Sequence, residues 1–172
     1  MIHEEEPRWL NDRERGAWMR LVAVLELLPS TIDAQLRHDS GLTYTEYYAL
    51  AMISETPQRR VQMKRLATLT NTTLPRLSRV ISGLEKAGFV AREPNEHDAR
   101  ATDVVLNDAG MAALVAAAPG HVTKVRELVF DPLTEKQIDG LIRLSDAWLD
   151  VLDPERKMVR SAEAWPDKES CS

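Results

Sequence analysis

Apolar residues near the N-terminus recur with the period of an amphipathic helix. Between Asp12 and Leu36 they occupy positions 18, 21, 22, 25, 28, 32 and 36, and this spacing places them on one helical face. Pro29 lies inside the segment. Because an internal proline removes a backbone hydrogen bond, we expect a kink or a break there. The pattern predicts a long helix with a wide apolar face.

Three shorter helices are predicted to follow. A capping box at Thr43 marks the start of the second helix, and the segment 62–70 fits a third. The fourth helix is predicted to begin with Thr72 or Thr73 as its N-cap and to end at Gly88. The polar turn between the third and fourth helices, with apolar residues on both sides, is typical of a helix-turn-helix unit.

Two β-prone segments and two further helices complete the pattern. The runs FVARE and TDVVL, joined by PNEHDARA, predict a β-hairpin with an open loop. Asn107 or Asp108 is suited to cap an Ala-rich helix, which we expect to be interrupted at Pro119. A capping box formed by Thr134 and Gln137 begins the last helix.

These elements predict a mainly α fold with a small β-hairpin wing, of the α+β class. We expect one domain over residues 1–172, with a winged helix-turn-helix lobe at 42–107 and a polar tail at 153–172. The helices at 12–40 and 108–152 carry more apolar surface than this lobe can cover. They are therefore expected to form a dimerisation region with a second copy of the chain.

Charge is distributed unevenly along the chain. The net charge is −5, yet the segment from Arg59 to Arg100 holds nine Lys or Arg and four Asp or Glu, and the remaining residues carry a surplus of ten negative charges. A basic segment within an acidic chain is typical of a nucleic-acid-binding face. On charge alone, an ordinary solvated surface explains the segment equally well.

The fourth helix has two different faces. At about 100° per residue, Leu77, Ile81 and Leu84 share one side, while Arg76 and Arg79 share the other. The second helix of a helix-turn-helix presents its N-terminal residues to base edges in the major groove. The predicted DNA-binding residues are Thr72, Thr73, Pro75, Arg76, Ser78 and Arg79 of this helix, with Arg92 and Arg100 of the hairpin.

The hairpin loop carries a family signature. Asp98, Arg100, Val104 and Leu106 match the pattern D-x-R-x-x-x-V-x-L, and with the order of helices they make the chain resemble the MarR family of transcriptional regulators. The resemblance covers roughly residues 12–152. It implies a homodimeric, ligand-responsive repressor that binds a pseudo-palindromic double-stranded DNA operator.

The resemblance also implies roles for the wing residues. Arg100 is expected to reach the minor groove or its phosphates, while Asp98 is expected to pair with a neighbouring arginine and fix the loop. Two residues depart from the family pattern. Ala99 stands where a second basic residue is usual, and Glu96 adds a negative charge near the DNA.

Relatives of this family often respond to a small aromatic or lipophilic effector. Trp18, His38, Tyr44, Tyr47 and Tyr48 are the residues expected to line such a site. Their spacing also fits plain core packing, because aromatic side chains in helices are commonly buried for their apolar area.

Several other classes of function lack support in the sequence. The four histidines have no ligand partner at metal-binding spacing, and catalytic motifs for phosphate, ester or metalloprotease chemistry are missing. We therefore expect no metal, no cofactor and no enzymatic activity. The acidic N-terminus and the lack of an 18-residue apolar run predict a cytoplasmic protein without a membrane partner. The alternative function is a winged-helix protein-interaction module without specific DNA binding.

Overall fold

The computed structural model describes residues 6–98 and 100–158. The tail predicted at 153–172 therefore extends past the described part of the chain, and Ala99 and Cys171 also lie outside it. In chain order the elements are α1 (Asp12–Ser40), α2 (Tyr44–Ser54), β1 (Arg60–Gln62), α3 (Met63–Leu69), α4 (Leu74–Lys86), β2 (Val90–Pro94), β3 (Thr102–Leu106), α5 (Asp108–Val125) and α6 (Glu135–Leu152), with a π-helical turn at Arg126–Phe130.

Side-chain caps set the starts of the helices where the sequence indicated. Thr43 and Glu46 exchange the two bonds of a capping box at α2, and the Asn107 amide oxygen accepts the backbone N–H of Gly110 at α5. At α6 the Gln137 side chain accepts the backbone N–H of Thr134 at 2.9 Å. These predictions are confirmed, because a cap depends on residues three positions apart and needs no tertiary contact.

The prediction that Pro119 interrupts a helix is wrong, and Pro29 does not divide its helix, while the kink that was the other expectation at Pro29 stays a prediction. α1 continues through Pro29, and α5 continues through Pro119. Past Pro29, the hydroxyl of Thr31 bonds the carbonyl of Leu27 at 2.8 Å, and the hydroxyl of Ser30 bonds the same carbonyl at 2.9 Å. Both bonds add to the helical hydrogen bonding in the turn after Pro29. The long contact between α1 and α5 further favours uninterrupted helices.

The wing contains a strand that the sequence did not predict. β3 lies between β2 and the three-residue strand β1, and both pairings are antiparallel. Gln58 and Arg59, which precede β1, have positive φ angles of 56° and 51°. This conformation is uncommon for side chains larger than asparagine, so local preference gives no signal for the turn. The mainly α fold with a small β wing is otherwise confirmed.

One apolar core joins the helix-turn-helix to the wing and to α1. Its fully buried side chains come from α1, α2, α3, α4 and β3, and they are Leu36, Leu50, Ile53, Leu66, Leu77, Ile81, Leu84 and Val104. Because α4 contributes three of these residues, its orientation relative to the wing is set by burial of its apolar face. The core therefore holds the opposite face of α4 towards solvent.

The terminal helices expose much of their apolar surface. Among the described residues, the exposed large apolar side chains of α1, α5 and α6 are Trp18, Met19, Val24, Leu25, Leu27, Val115, Val122, Leu141, Ile142, Leu144, Trp148, Val151 and Leu152. No described helix combines the length and apolarity needed to cross a membrane. An apolar surface of this extent is typical of a protein-protein interface.

Candidate nucleic-acid interface

α4 separates packing residues from presenting residues, as its sequence predicted. Leu77, Ile81 and Leu84 are buried, whereas Arg76 and Arg79 are exposed on the outer side. Pro75 is exposed in the first turn, where its missing N–H costs no helical hydrogen bond. The helix therefore presents two free-standing guanidinium groups near its N-terminal end.

The turn before α4 differs in detail from the prediction. Thr73 is the N-cap, but its side chain makes no capping hydrogen bond. Thr72 is half-buried, and its hydroxyl oxygen is enclosed and has no hydrogen-bond partner in the part of the chain that the structure describes. Asn71 adopts a φ of 45°, which asparagine tolerates well. Thr73 thus remains accessible to a partner molecule, while the Thr72 hydroxyl faces the protein.

Arg92 faces α4 rather than solvent. Its guanidinium bonds the Glu85 carboxylate at 2.6 Å, the Ser78 carbonyl at 2.8 Å and the Ser82 hydroxyl at 3.0 Å. The Arg92 guanidinium is thus engaged within the protein, and the Ser78 hydroxyl accepts a bond from it at 3.4 Å. The predicted DNA contacts of both residues stay predictions. Arg92 instead fastens strand β2 to α4, and so fixes the wing relative to the helix.

Most of the basic residues between Arg59 and Arg100 are available to an anionic partner. Arg59, Arg60 and Arg92 form ion pairs with Asp108, Asp103 and Glu93, and Glu85. The other six are exposed and have no ion pair within the described residues, and they are Lys64, Arg65, Arg76, Arg79, Lys86 and Arg100. This set is the exposed basic face of the lobe.

A cleft of about 480 Å³ separates α4 from the wing. Predicted site residues Ser78, Arg92, Asp98 and Arg100 line it together with Lys64 of α3. Sequence reasoning counted Lys64 among the basic residues but did not place it at the site. Lys64 and Arg100 lie 36 residues apart in the sequence, so only tertiary packing brings them to the same cleft.

Asp98 organises the wing differently from the expectation. Its carboxylate accepts the backbone N–H of Arg100 at 2.9 Å, and within the described residues it makes no ion pair with an arginine. The predicted pairing is corrected accordingly: Asp98 holds the main chain of Arg100, and the Arg100 guanidinium is exposed and has no ion pair among residues 6–98 and 100–158.

The five aromatic residues proposed for an effector site do not converge on one cavity. Trp18 and His38 lie 20 residues apart on α1, a rise of about 30 Å, and both are exposed. Tyr47 is buried against His121, with ring centroids 4.5 Å apart. Tyr44 and Tyr48 stack at 6.0 Å and line a cleft of about 350 Å³ that includes Thr72 and Arg76. Of the five, Tyr44 and Tyr48 line a common cleft in the described part of the chain, and their effector role stays a prediction.

His121 links stability to pH. Burial lowers the pKa of His121 below its usual value, and its Nδ1 atom is enclosed and accepts no hydrogen bond from any described residue. At His121 the unfolded chain therefore binds a proton more readily than the folded protein does. The free energy of unfolding falls as the pH drops below about 6.5, the pKa of the unfolded chain, and it stops falling below the lower pKa of the folded protein. We expect urea midpoints to fall more steeply between pH 7 and pH 5 for the wild type than for His121→Gln. Equal pH profiles for the two proteins would contradict this.

The elements and their order define a winged helix-turn-helix fold, and its exposed basic face suits an anionic partner. The model of the MarR family matches residues 40–101. The structure superposes on that of Sco3205 with a TM-score of 0.83. Sco3205 is a MarR family transcriptional regulator from Streptomyces coelicolor that was crystallised in complex with DNA. The two sequences are 37% identical, and the match covers 87% of this chain and 94% of Sco3205. AbsC, a second MarR family regulator from that organism, gives a TM-score of 0.80, 34% identity, and coverage of 85% and 98%.

The chain belongs to the MarR family of transcriptional regulators. It is also similar to the HTH-type transcriptional repressor YetL of Bacillus subtilis (strain 168), with 25% identity over 104 residues. That match covers 60% of this chain and 62% of YetL, so the chain spans less than two thirds of this curated relative.

Proposed function

We propose that this protein is a sequence-specific double-stranded DNA-binding regulator, which acts as a homodimeric repressor on a pseudo-palindromic operator. The observation that carries the proposal is the exposed basic face of the lobe, with Arg76 and Arg79 near the N-terminal end of α4 and Arg100 on the wing. Guanidinium groups in these positions suit guanine edges in a major groove and the phosphates or minor groove beside it.

The electrostatic arrangement supports DNA over a protein partner. The six basic residues of the exposed face have no ion pair within the described chain, so binding DNA would not require breaking internal ion pairs. Each contact to a phosphate would instead release a condensed counterion. That the regulator Sco3205 was crystallised with DNA gives further support by similarity.

Dimerisation follows from the exposed apolar surface of α1, α5 and α6. Leaving side chains such as Leu25, Ile142 and Trp148 in water is unfavourable by roughly 25 cal/mol for each Å² of apolar area. A second copy offers a matching surface through a two-fold axis, and the same axis would place two copies of α4 on successive major grooves.

We expect two chains to bind one operator, with affinity that falls steeply as salt rises. The measurement is sedimentation velocity of a labelled duplex from a selection experiment, titrated with protein at two salt concentrations. The free protein should sediment near twice the 19.4 kDa chain mass. A scrambled duplex of equal length serves as the control. Equal affinity for both duplexes, or one chain per operator, would contradict the proposal.

The proposal includes a small aromatic or lipophilic effector, and no metal, cofactor, enzymatic activity or membrane partner. In support, Thr72 and Arg76 line the same cleft as Tyr44 and Tyr48, and the cleft volume of about 350 Å³ falls within the range of ligand pockets. A ligand bound there would act directly on the start of α4. We place the protein in the cytoplasm, where a DNA operator would be accessible to it. Titrating small aromatic compounds into the duplex assay tests the effector.

A further inference from the structure

One amide side chain holds the turn of the wing. The Asn95 oxygen accepts the backbone N–H groups of His97 and Asp98, each at 3.0 Å. Its nitrogen donates to both carboxylate oxygens of Asp103, at 2.9 and 3.1 Å. The oxygen must accept and the nitrogen must donate in this arrangement, so only one orientation of the amide satisfies all four bonds.

Asp103 is a buried anchor for this amide. Its side chain is 5% exposed, and a buried carboxylate is costly unless it is paired and hydrogen-bonded. Arg60 of β1 supplies the pair, at 3.2 Å, and also bonds Glu93 of β2. These bonds to Asp103 and Glu93 raise the pKa of Arg60, so the arginine stays charged. The anchor therefore ties together β1, β2 and β3.

A chain of hydrogen bonds runs from this anchor to Arg100. Asp103 holds Asn95, Asn95 holds the backbone of Asp98, and the Asp98 carboxylate holds the backbone N–H of Arg100 at 2.9 Å. The Arg100 guanidinium stays outside this network and is exposed. The network thus orders the main chain beneath Arg100 without occupying the group that would meet DNA.

We infer that Asn95 is a positioning residue for the wing, and that it sets Arg100 in place for DNA before binding. The inference rests on the proposed DNA-binding function. Without the Asn95 bonds the loop is free, and the contact of Arg100 with a phosphate would no longer outweigh the conformational entropy lost on ordering the loop, so the contact itself is lost. Asn95 itself touches no DNA in this scheme, so its effect on affinity passes through Arg100.

The test is a double-mutant cycle of Asn95→Ala and Arg100→Ala, read as operator affinity against salt concentration. Asn95→Ala is expected to weaken binding about three- to tenfold. In both single variants, the slope of log affinity against log salt concentration should become less steep. The expected change is about one unit for each wing that loses its phosphate contact. The double variant should match Arg100→Ala alone, because the two losses are one event.

His97→Ala is the matched control. Its imidazole makes no hydrogen bond within the described residues, and the variant keeps the backbone N–H that Asn95 accepts. It should retain the wild-type salt slope. Thermal unfolding of every variant separates loss of folding from loss of positioning.

Each other outcome is decisive. Additive losses in the double variant, or a wild-type slope in Asn95→Ala, would show that Asn95 only stabilises the sheet. A wild-type slope in Arg100→Ala would show that the wing stands clear of DNA, and would overturn the inference while leaving the proposed function intact. A wild-type protein that fails to distinguish the operator from a scrambled duplex would overturn the proposed function, and the inference with it.

Discussion

Replacing Arg76 or Arg79 by alanine is expected to cost about 1 to 3 kcal/mol of operator affinity, and to relax base preference at one position in each half-site. Both side chains are exposed near the N-terminal end of α4, where a recognition helix meets base edges. A guanidinium can bond two acceptor atoms of one guanine. When the arginine is replaced by alanine, those two acceptors lose their protein partner. If the two contacts are independent, the costs should add in the double variant.

The measurement is a competition assay with operator variants altered at single base pairs. Lys86→Ala is the matched control, because Lys86 is exposed at the C-terminal end of the same helix. We expect its loss to weaken all sequences alike, as for a phosphate contact. Unchanged affinity and base preference in both arginine variants, with folding intact, would show that α4 is not the recognition helix.

The variant Gly110→Ala is expected to destabilise the fold by about 2 to 4 kcal/mol. A Cβ atom at Gly110 would lie 2.2 Å from the carbonyl oxygen of Phe89 and 2.5 Å from Cδ1 of Leu106. The Asn107 side chain donates a hydrogen bond to the carbonyl of Gly88 at 2.7 Å. Moving the start of α5 to relieve the overlap would therefore break this bond. Overlap with backbone at this distance forces α5 away from the lobe.

Gly140→Ala in α6 provides a control of opposite sign. The nearest atom of the same chain to a Cβ there is Nη2 of Arg143, at 4.0 Å, so no overlap within the chain opposes the helix propensity of alanine, which favours it by roughly 1 kcal/mol. Urea unfolding of both variants measures the difference. A Gly110→Ala protein as stable as Gly140→Ala would mean that α5 does not pack tightly on the start of the wing.

The sequence alone determined the parts of this protein that depend on neighbouring residues. The caps at Thr43, Asn107 and Thr134 were predictable because capping bonds join residues three positions apart. The two faces of α4 were predictable because helical periodicity alone separates Leu77 from Arg76. The order of elements and the candidate recognition helix followed from these local signals.

Tertiary structure decided the roles of individual polar side chains. Arg92 is as basic as Arg100, and only its packing against α4 turns it inward. Asn95 and Asp103 give no sign in the sequence of being an anchor, because their bond depends on the register of β2 against β3.

The same reason accounts for the predictions that were wrong. β1 is three residues long and pairs with a strand more than 40 residues further along the chain, so periodicity cannot reveal it. The helices continue through Pro29 and Pro119 because the packing of α1 on α5 outweighs a local preference to break. Local free energies set where elements begin, but the direction a side chain faces depends on contacts between residues distant in sequence.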